Sequence, residues 1–215
     1  MRSRNVKYTI VVFILSSFLI LPVFGQEKDT GPAKEKQNTP PAATTYILGS
    51  QNIILHLGPF IPLFFNNLSA GTVEPSNLYI GVLFGLQWQG YLSNEWSVGV
   101  ELNGTLSFSP NFNILWLLPV GVKGTYTIHL PPFEIPISLT TGICLESFID
   151  STRIDFFLKP EIAGFWKIDA TWGVGLSVGY LWVPQLSNSD QENVRSGQSF
   201  LGNFLQVSAA LSFYF

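Results

Sequence analysis

The chain has 215 residues, of which 47% are apolar and 14% aromatic but only 12% charged, with a net charge of −3. An ordinary soluble domain carries roughly 25% charged residues, so a conventional cytosolic globular enzyme is a poor fit. The 18 Phe, 7 Tyr and 6 Trp exclude disorder over most of the length, and a single cysteine excludes a disulfide framework or a multi-cysteine metal site.

Residues 1–25 read as a cleaved secretory signal peptide. Arg2, Arg4 and Lys7 form the basic start, Tyr8 to Leu21 the apolar core, and Pro22-Val23-Phe24-Gly25 the approach to a cut before Gln26. Such a cut removes three of the eleven basic residues and none of the fourteen acidic ones, leaving eight against fourteen, a net −6. A chain this acidic offers no electrostatic footprint for nucleic acid. Residues 26–45 (QEKDTGPAKEKQNTPPAATT) lack aromatics and are rich in Lys, Glu, Pro and Thr, the composition of a disordered periplasmic tail.

From residue 46 to 215 no long apolar run survives. Gly, Ser, Thr, Gln and Asn break every hydrophobic stretch, and apolar residues recur instead with period two. In the segment Leu78 to Leu92, Leu78, Ile80, Val82, Phe84, Leu86 and Trp88 share one face, against Tyr79, Gly81, Leu83, Gly85, Gln87 and Gln89. Trp96 to Phe108 and Trp172 to Val183 repeat the pattern. The outward row of the latter opens on Trp172 and closes on Trp182, as when aromatic girdles sit at two lipid interfaces. Asn52 to Phe65, Leu115 to Ile128, Ile135 to Phe148, Ile154 to Asp169 and Leu201 to Phe215 complete eight strands. The fold expected is therefore all-β: a membrane-spanning, antiparallel up-and-down β-barrel of about eight strands, preceded by the signal peptide and tail. The prolines at 59, 62, 119, 136 and 160 weaken individual strands, because proline cannot donate to a ladder.

Connections alternate between longer ones (66–77, 109–114, 149–153, 184–200) and shorter ones (93–95, 129–134, 169–171). Short turns belong in the periplasm and longer loops outside the cell. The final strand carries Leu205, Val207, Ala209, Leu211 and Phe213 on one face and finishes on Phe215. It looks like the terminal signal by which barrel-assembly machinery recognises its substrates. Signal peptide, eight strands and terminal Phe together resemble the small outer-membrane barrels of the OmpW and OmpA-like superfamily, over residues 46–215. The resemblance implies an outer-membrane location, outer-membrane lipid and the assembly machinery as partners, and a hydrophobic cavity serving small apolar solutes.

Alternation also assigns the lumen. Inward polar positions include Gln87, Gln89, Glu101, Lys123, Thr125, Lys159, Glu161, Lys167 and Gln206. Two readings stand: Glu101, Lys123, Lys159, Glu161 and Lys167 form an ion-paired network that locks the barrel, or they line a solute path. Phe60, Leu83, Leu117, Phe157, Leu181 and Phe204 fall in the outer half, as a site for a small apolar molecule or as a cork. The function expected is a narrow channel or ligand-capture barrel, the alternative a structural or adhesin-like barrel working through its external loops. No catalytic residues, metal or cofactor are expected. His56 has no serine two residues away and reads as an inward hydrogen-bonding group, His129 as a solvated turn residue, and Cys144 as a small inward wall residue.

Overall fold

The computed structural model describes residues 45–148, 151–185 and 199–215. The expected signal peptide, all but the last residue of the expected tail, and residues 149–150 and 186–198 of the expected loops lie outside the described residues.

Nine strands are present among these residues: β1 (Gln51–Asn67), β2 (Thr72–Pro75), β3 (Gly81–Tyr91), β4 (Trp96–Phe108), β5 (Ile114–Leu130), β6 (Phe133–Phe148), β7 (Ser151–Lys167), β8 (Trp172–Gln185) and β9 (Phe200–Tyr214). All neighbours are antiparallel, and β1 pairs with both β3 and β9, so eight strands close into a barrel. Closure follows from the chemistry of the outer face. Exposed side chains such as Leu57, Phe84, Val122, Leu139, Ile162 and Leu176 face outward on every second position, a surface for hydrocarbon. In hydrocarbon each unpaired backbone group costs several kcal/mol, and only a sheet without edges satisfies them all. No helix among the described residues is long and apolar enough to cross a membrane.

Aromatic pairs mark the two rims of the apolar band. Trp96 packs on Tyr126 (5.1 Å) and Trp172 on Phe213 (4.8 Å) near one end, and Tyr180 on Trp182 (5.1 Å) near the other. The first end, called the tail end here, carries the turns 92–95, 131–132 and 168–171 and the approach to β1; the opposite, loop end carries the longer connections.

Two departures from the sequence expectation concern the loop end. The 66–77 connection contains a strand, β2, which folds back on Phe64–Asn67 of β1. After it, β3 begins at Gly81 rather than Leu78, its ladder with β1 ending at the Phe60–Gly81 pair. Tyr79, expected to face inward, is instead exposed, its N–H donating to Phe108 O at 2.8 Å. The other turn that changes is at the tail end: β5 and β6 run on to Leu130 and back from Phe133, leaving only Pro131-Pro132 between them.

Strand crowding makes one glycine test the wall. At Gly58 an added Cβ would lie 2.0 Å from Val207 O, whereas at outward-facing Gly124 it would meet nothing within 4 Å. Gly58→Ala is expected to lower the unfolding free energy by about 1–3 kcal/mol, the usual cost of overpacking. Gly124→Ala should leave it nearly unchanged, as urea titration of the refolded barrel will read.

Candidate functional site

The barrel encloses a lumen, whose character follows from which inward positions each strand supplies. In the loop-end half, Phe60 (β1), Leu83 (β3), Leu115 and Leu117 (β5), Cys144 (β6), Phe157 (β7), Leu181 and Val183 (β8) and Phe204 (β9) form one buried apolar cluster. Phe60 and Phe204 stack at 5.0 Å and are 0% and 1% exposed. All six apolar residues singled out from the sequence thus meet in one packed layer; the alternation within strands also marks Leu115 and Val183, whose place in the layer only the register reveals.

Beneath it lies a charged layer. Lys123 Nζ donates to Glu161 Oε1 (2.6 Å) and Gln87 Oε1 (2.7 Å) and stands 3.2 Å from Glu101 Oε2. Lys159 Nζ donates to Glu161 Oε2 (2.8 Å) and to Glu101 Oε1. Thr140 Oγ1 and Asn103 Nδ2 also donate to Glu101. Both lysines are 2% exposed and Glu101 3%, so two anions and two cations neutralise each other away from water. Charges survive such burial only when paired and hydrogen-bonded. Alternation makes the arrangement possible: β4 and β5 each place one long side chain inward and β7 two, while β8 and β9 offer the small Ser177, Gly179 and Ser208; a Cβ on Gly179 would already lie 3.4 Å from Glu161 Oε2.

That small-residue wall holds a contact the sequence could not display. His56 Nδ1 lies 3.2 Å from Ser208 Oγ and 3.5 Å from Ser177 Oγ, and the two hydroxyls are 2.7 Å apart. The serines are 152 and 121 residues distant in the chain, joined to His56 only because β9 sits between β8 and β1. His56 is buried, and among the described residues its Nε2, like both side-chain amide atoms of Gln206 on β9, has no hydrogen-bond partner.

The tail end is closed by a third group. Lys167 is not joined to the charged layer with which it was grouped from sequence. Its Nζ donates to Tyr46 Oη, stands 3.4 Å from Glu134 Oε1 and sits 4.1 Å above the centre of the Tyr214 ring. Being six residues nearer the tail end of β7 than Glu161, it meets the mouth of the barrel instead. Tyr46, from the segment before β1, stacks on Tyr91 (4.0 Å, 8° between planes) and donates to the Glu134 carboxylate (2.9 and 3.0 Å). Burial, then the neighbouring Tyr214, Tyr91 and Glu134, pushes the Tyr46 hydroxyl far above its usual range, so it remains a donor. His129 also belongs here and not to solvent: Nε2 is 2.7 Å from Asn94 O and Nδ1 3.2 Å from Glu134 Oε1. A turn of only two residues pulls the ends of β5 and β6 together and carries the imidazole under the mouth. Above the apolar layer, Gln185 Nε2 donates to Glu146 Oε2 (2.6 Å), and Arg153 pairs with Asp155 (3.6 Å).

Comparison with other proteins agrees with this architecture. The chain is 27% identical over 151 residues to an uncharacterized protein of Borreliella burgdorferi, a match covering 60% of this chain and 70% of that one. It is 20% identical over 106 residues to an uncharacterized protein of Treponema pallidum, covering 49% of this chain and about half, 48%, of the relative. Among solved structures, Neisserial surface protein A superposes with a TM-score of 0.53 at 11% identity, over 80% of this chain and 99% of that one. The fold is thus that of the small outer-membrane β-barrels. A protein-family model matches residues 33–213, nearly the whole barrel, and the chain belongs to that family.

Proposed function

We propose that the protein is exported through a cleaved signal peptide to the outer membrane, where it acts as a closed barrel that works through its loop end rather than as a conduit. One observation carries the reading: an apolar layer, a charge-neutral layer and an aromatic floor follow one another along the lumen, their central residues between 0% and 7% exposed and the Glu161 side chain 8%. An eight-stranded barrel has an interior just wide enough for side chains to fill. A path for ions would have to unpair Lys123 and Lys159 from both glutamates. With the tail end in the periplasm, the 66–80 and 109–113 connections project outward, where the exposed Leu68, Val73 and Phe112 stand available to a partner.

Planar-bilayer recording tests this. The purified barrel is expected to give no discrete current steps above background, and regular steps at moderate voltage would favour a channel.

A second reading rests on a separate feature. Between Phe60 and Phe64, β1 has no ladder partner on its β3 side among the described residues; β3 pairs only up to Phe60, and β2 only from Phe64. The gap is spanned by Ser76 Oγ donating to Pro62 O (3.3 Å), and directly behind it lie Phe60, Leu83 and Phe204, with Phe65 and Leu78 packed on them. A small apolar molecule entering there would exchange with side chains of the apolar layer (Phe60, Leu83, Leu117, Phe157, Leu181, Phe204), which makes capture the alternative use of the same barrel.

A further inference from the structure

The tail-end floor is assembled around one residue that no barrel strand supplies. Tyr46 is 4% exposed although its neighbours Ile47 and Leu48 are exposed at 69% and 75%. The segment reaches the mouth through a tight turn, in which Ser50 N donates to Ile47 O (3.0 Å) and Gly49 takes φ of 97°, a conformation that favours glycine. Its backbone is tied to the barrel at three points: Tyr46 N donates to Asn94 Oδ1 (2.9 Å), Gly49 N to Tyr91 O (3.2 Å), and Ser50 O accepts from Tyr91 N (2.8 Å). The depth of the contact comes from the side chain. Its ring lies against Tyr91 and Tyr214, and its hydroxyl stands between the Lys167 ammonium and the Glu134 carboxylate. Elements β3, β6, β7 and β9 therefore all converge on a phenol delivered from outside the barrel.

We infer that residues 45–50 form a detachable strap, and that the floor is a phenol-binding site occupied by the chain's own Tyr46, whose withdrawal opens the tail end of the lumen to water. The site has the chemistry of phenol recognition: a stacking face, a cation over the ring, an acceptor for the hydroxyl proton and a donor to its oxygen. Without Tyr46, Glu134 and Lys167 keep each other at 3.4 Å and can hydrate from the mouth, so the barrel walls do not depend on the strap. Above the floor lies a small apolar cluster, Ile54, Ala163, Phe165 and Ala210, which bounds how far water would enter.

The test uses the full mature chain, refolded in detergent, with Cys144→Ala removing the native thiol and Thr127→Cys reporting. Thr127 is buried and two residues from His129 on the inward face of β5. Modification of that cysteine by a small charged thiol reagent should be slow in the parent and roughly tenfold faster or more after Tyr46→Ala, as expected when a local closure is lost. Tyr46→Phe, which keeps the ring, should stay near the parent. Adding 4-methylphenol to the Tyr46→Ala protein should slow the reaction again, while toluene should not. Equal rates in the parent and Tyr46→Ala, with both barrels still heat-modifiable on gels, would overturn the strap; fast labelling untouched by 4-methylphenol would overturn the phenol site. If Tyr46→Ala does not fold, Asn94→Ala, which removes the acceptor for Tyr46 N and leaves the ring in place, should speed labelling by a smaller factor, and no increase would overturn the strap.

Discussion

Replacing Glu101 by leucine is expected to be among the most damaging single changes in the barrel, lowering unfolding free energy by about 3–5 kcal/mol. The cost arises from what remains rather than from what is lost. Lys123 and Lys159 would share Glu161 alone, leaving one net buried positive charge uncompensated, with Thr140 Oγ1 and Asn103 Nδ2 losing their acceptor. Exchanging all four charged residues for leucine and methionine of similar volume should cost far less than the sum of the single changes, because neither desolvation nor unpaired charge then remains. Urea titration of the refolded barrel, followed by its gel shift, reads both. A Glu101→Leu barrel as stable as the parent would mean that water reaches the lysines.

The second large effect is expected in the apolar layer. Phe60→Ala should cost about 3–5 kcal/mol, the range for removing a buried phenylalanine and leaving a cavity. Phe204→Ala should cost a similar amount, but the double replacement less than the two together, because the rings contact each other and share one space. Neither variant should conduct, since the ion-paired layer still lies beneath the cavity. Current through Phe60→Ala would show the apolar layer to be the only barrier, which the packing around Lys123 and Lys159 does not support.

Most of the wall was legible from alternation. β4 runs from Trp96 to Phe108, the bounds read from its sequence, and β8 carries its aliphatic and aromatic row outward from Trp172, as the period-two pattern requires. Heights in the lumen were legible too, because strand direction alternates: Phe60, Leu83 and Phe204 reach the loop-end half and Glu101 the middle. What escaped depends on contacts distant in sequence. β2 is four residues, TVEP, with no apolar alternation to announce it, and is held by Phe64–Asn67. Tyr46 follows a polar tail and resembles any first residue of a domain; only three-dimensional closure brings it against Glu134, 88 residues on. Lys167 has the same parity as Lys159 and Glu161, so periodicity groups all three. Their separation along β7 puts Lys167 at the mouth. His56 gave no sign of its serines for the same reason, since β1 and β9 meet only when the sheet closes.

Dipolar-coupling solid-state nuclear magnetic resonance on the barrel in lipid bilayers, with lysine Nζ and glutamate Cδ labelled, addresses the filled lumen directly. Close contact of Lys159 with Glu101 and of Lys123 with Glu161, and ammonium protons that exchange slowly with bulk water, are predicted. Weak couplings with rapidly exchanging protons would mean that solvent threads the middle of the barrel, and the closed-lumen account would be wrong.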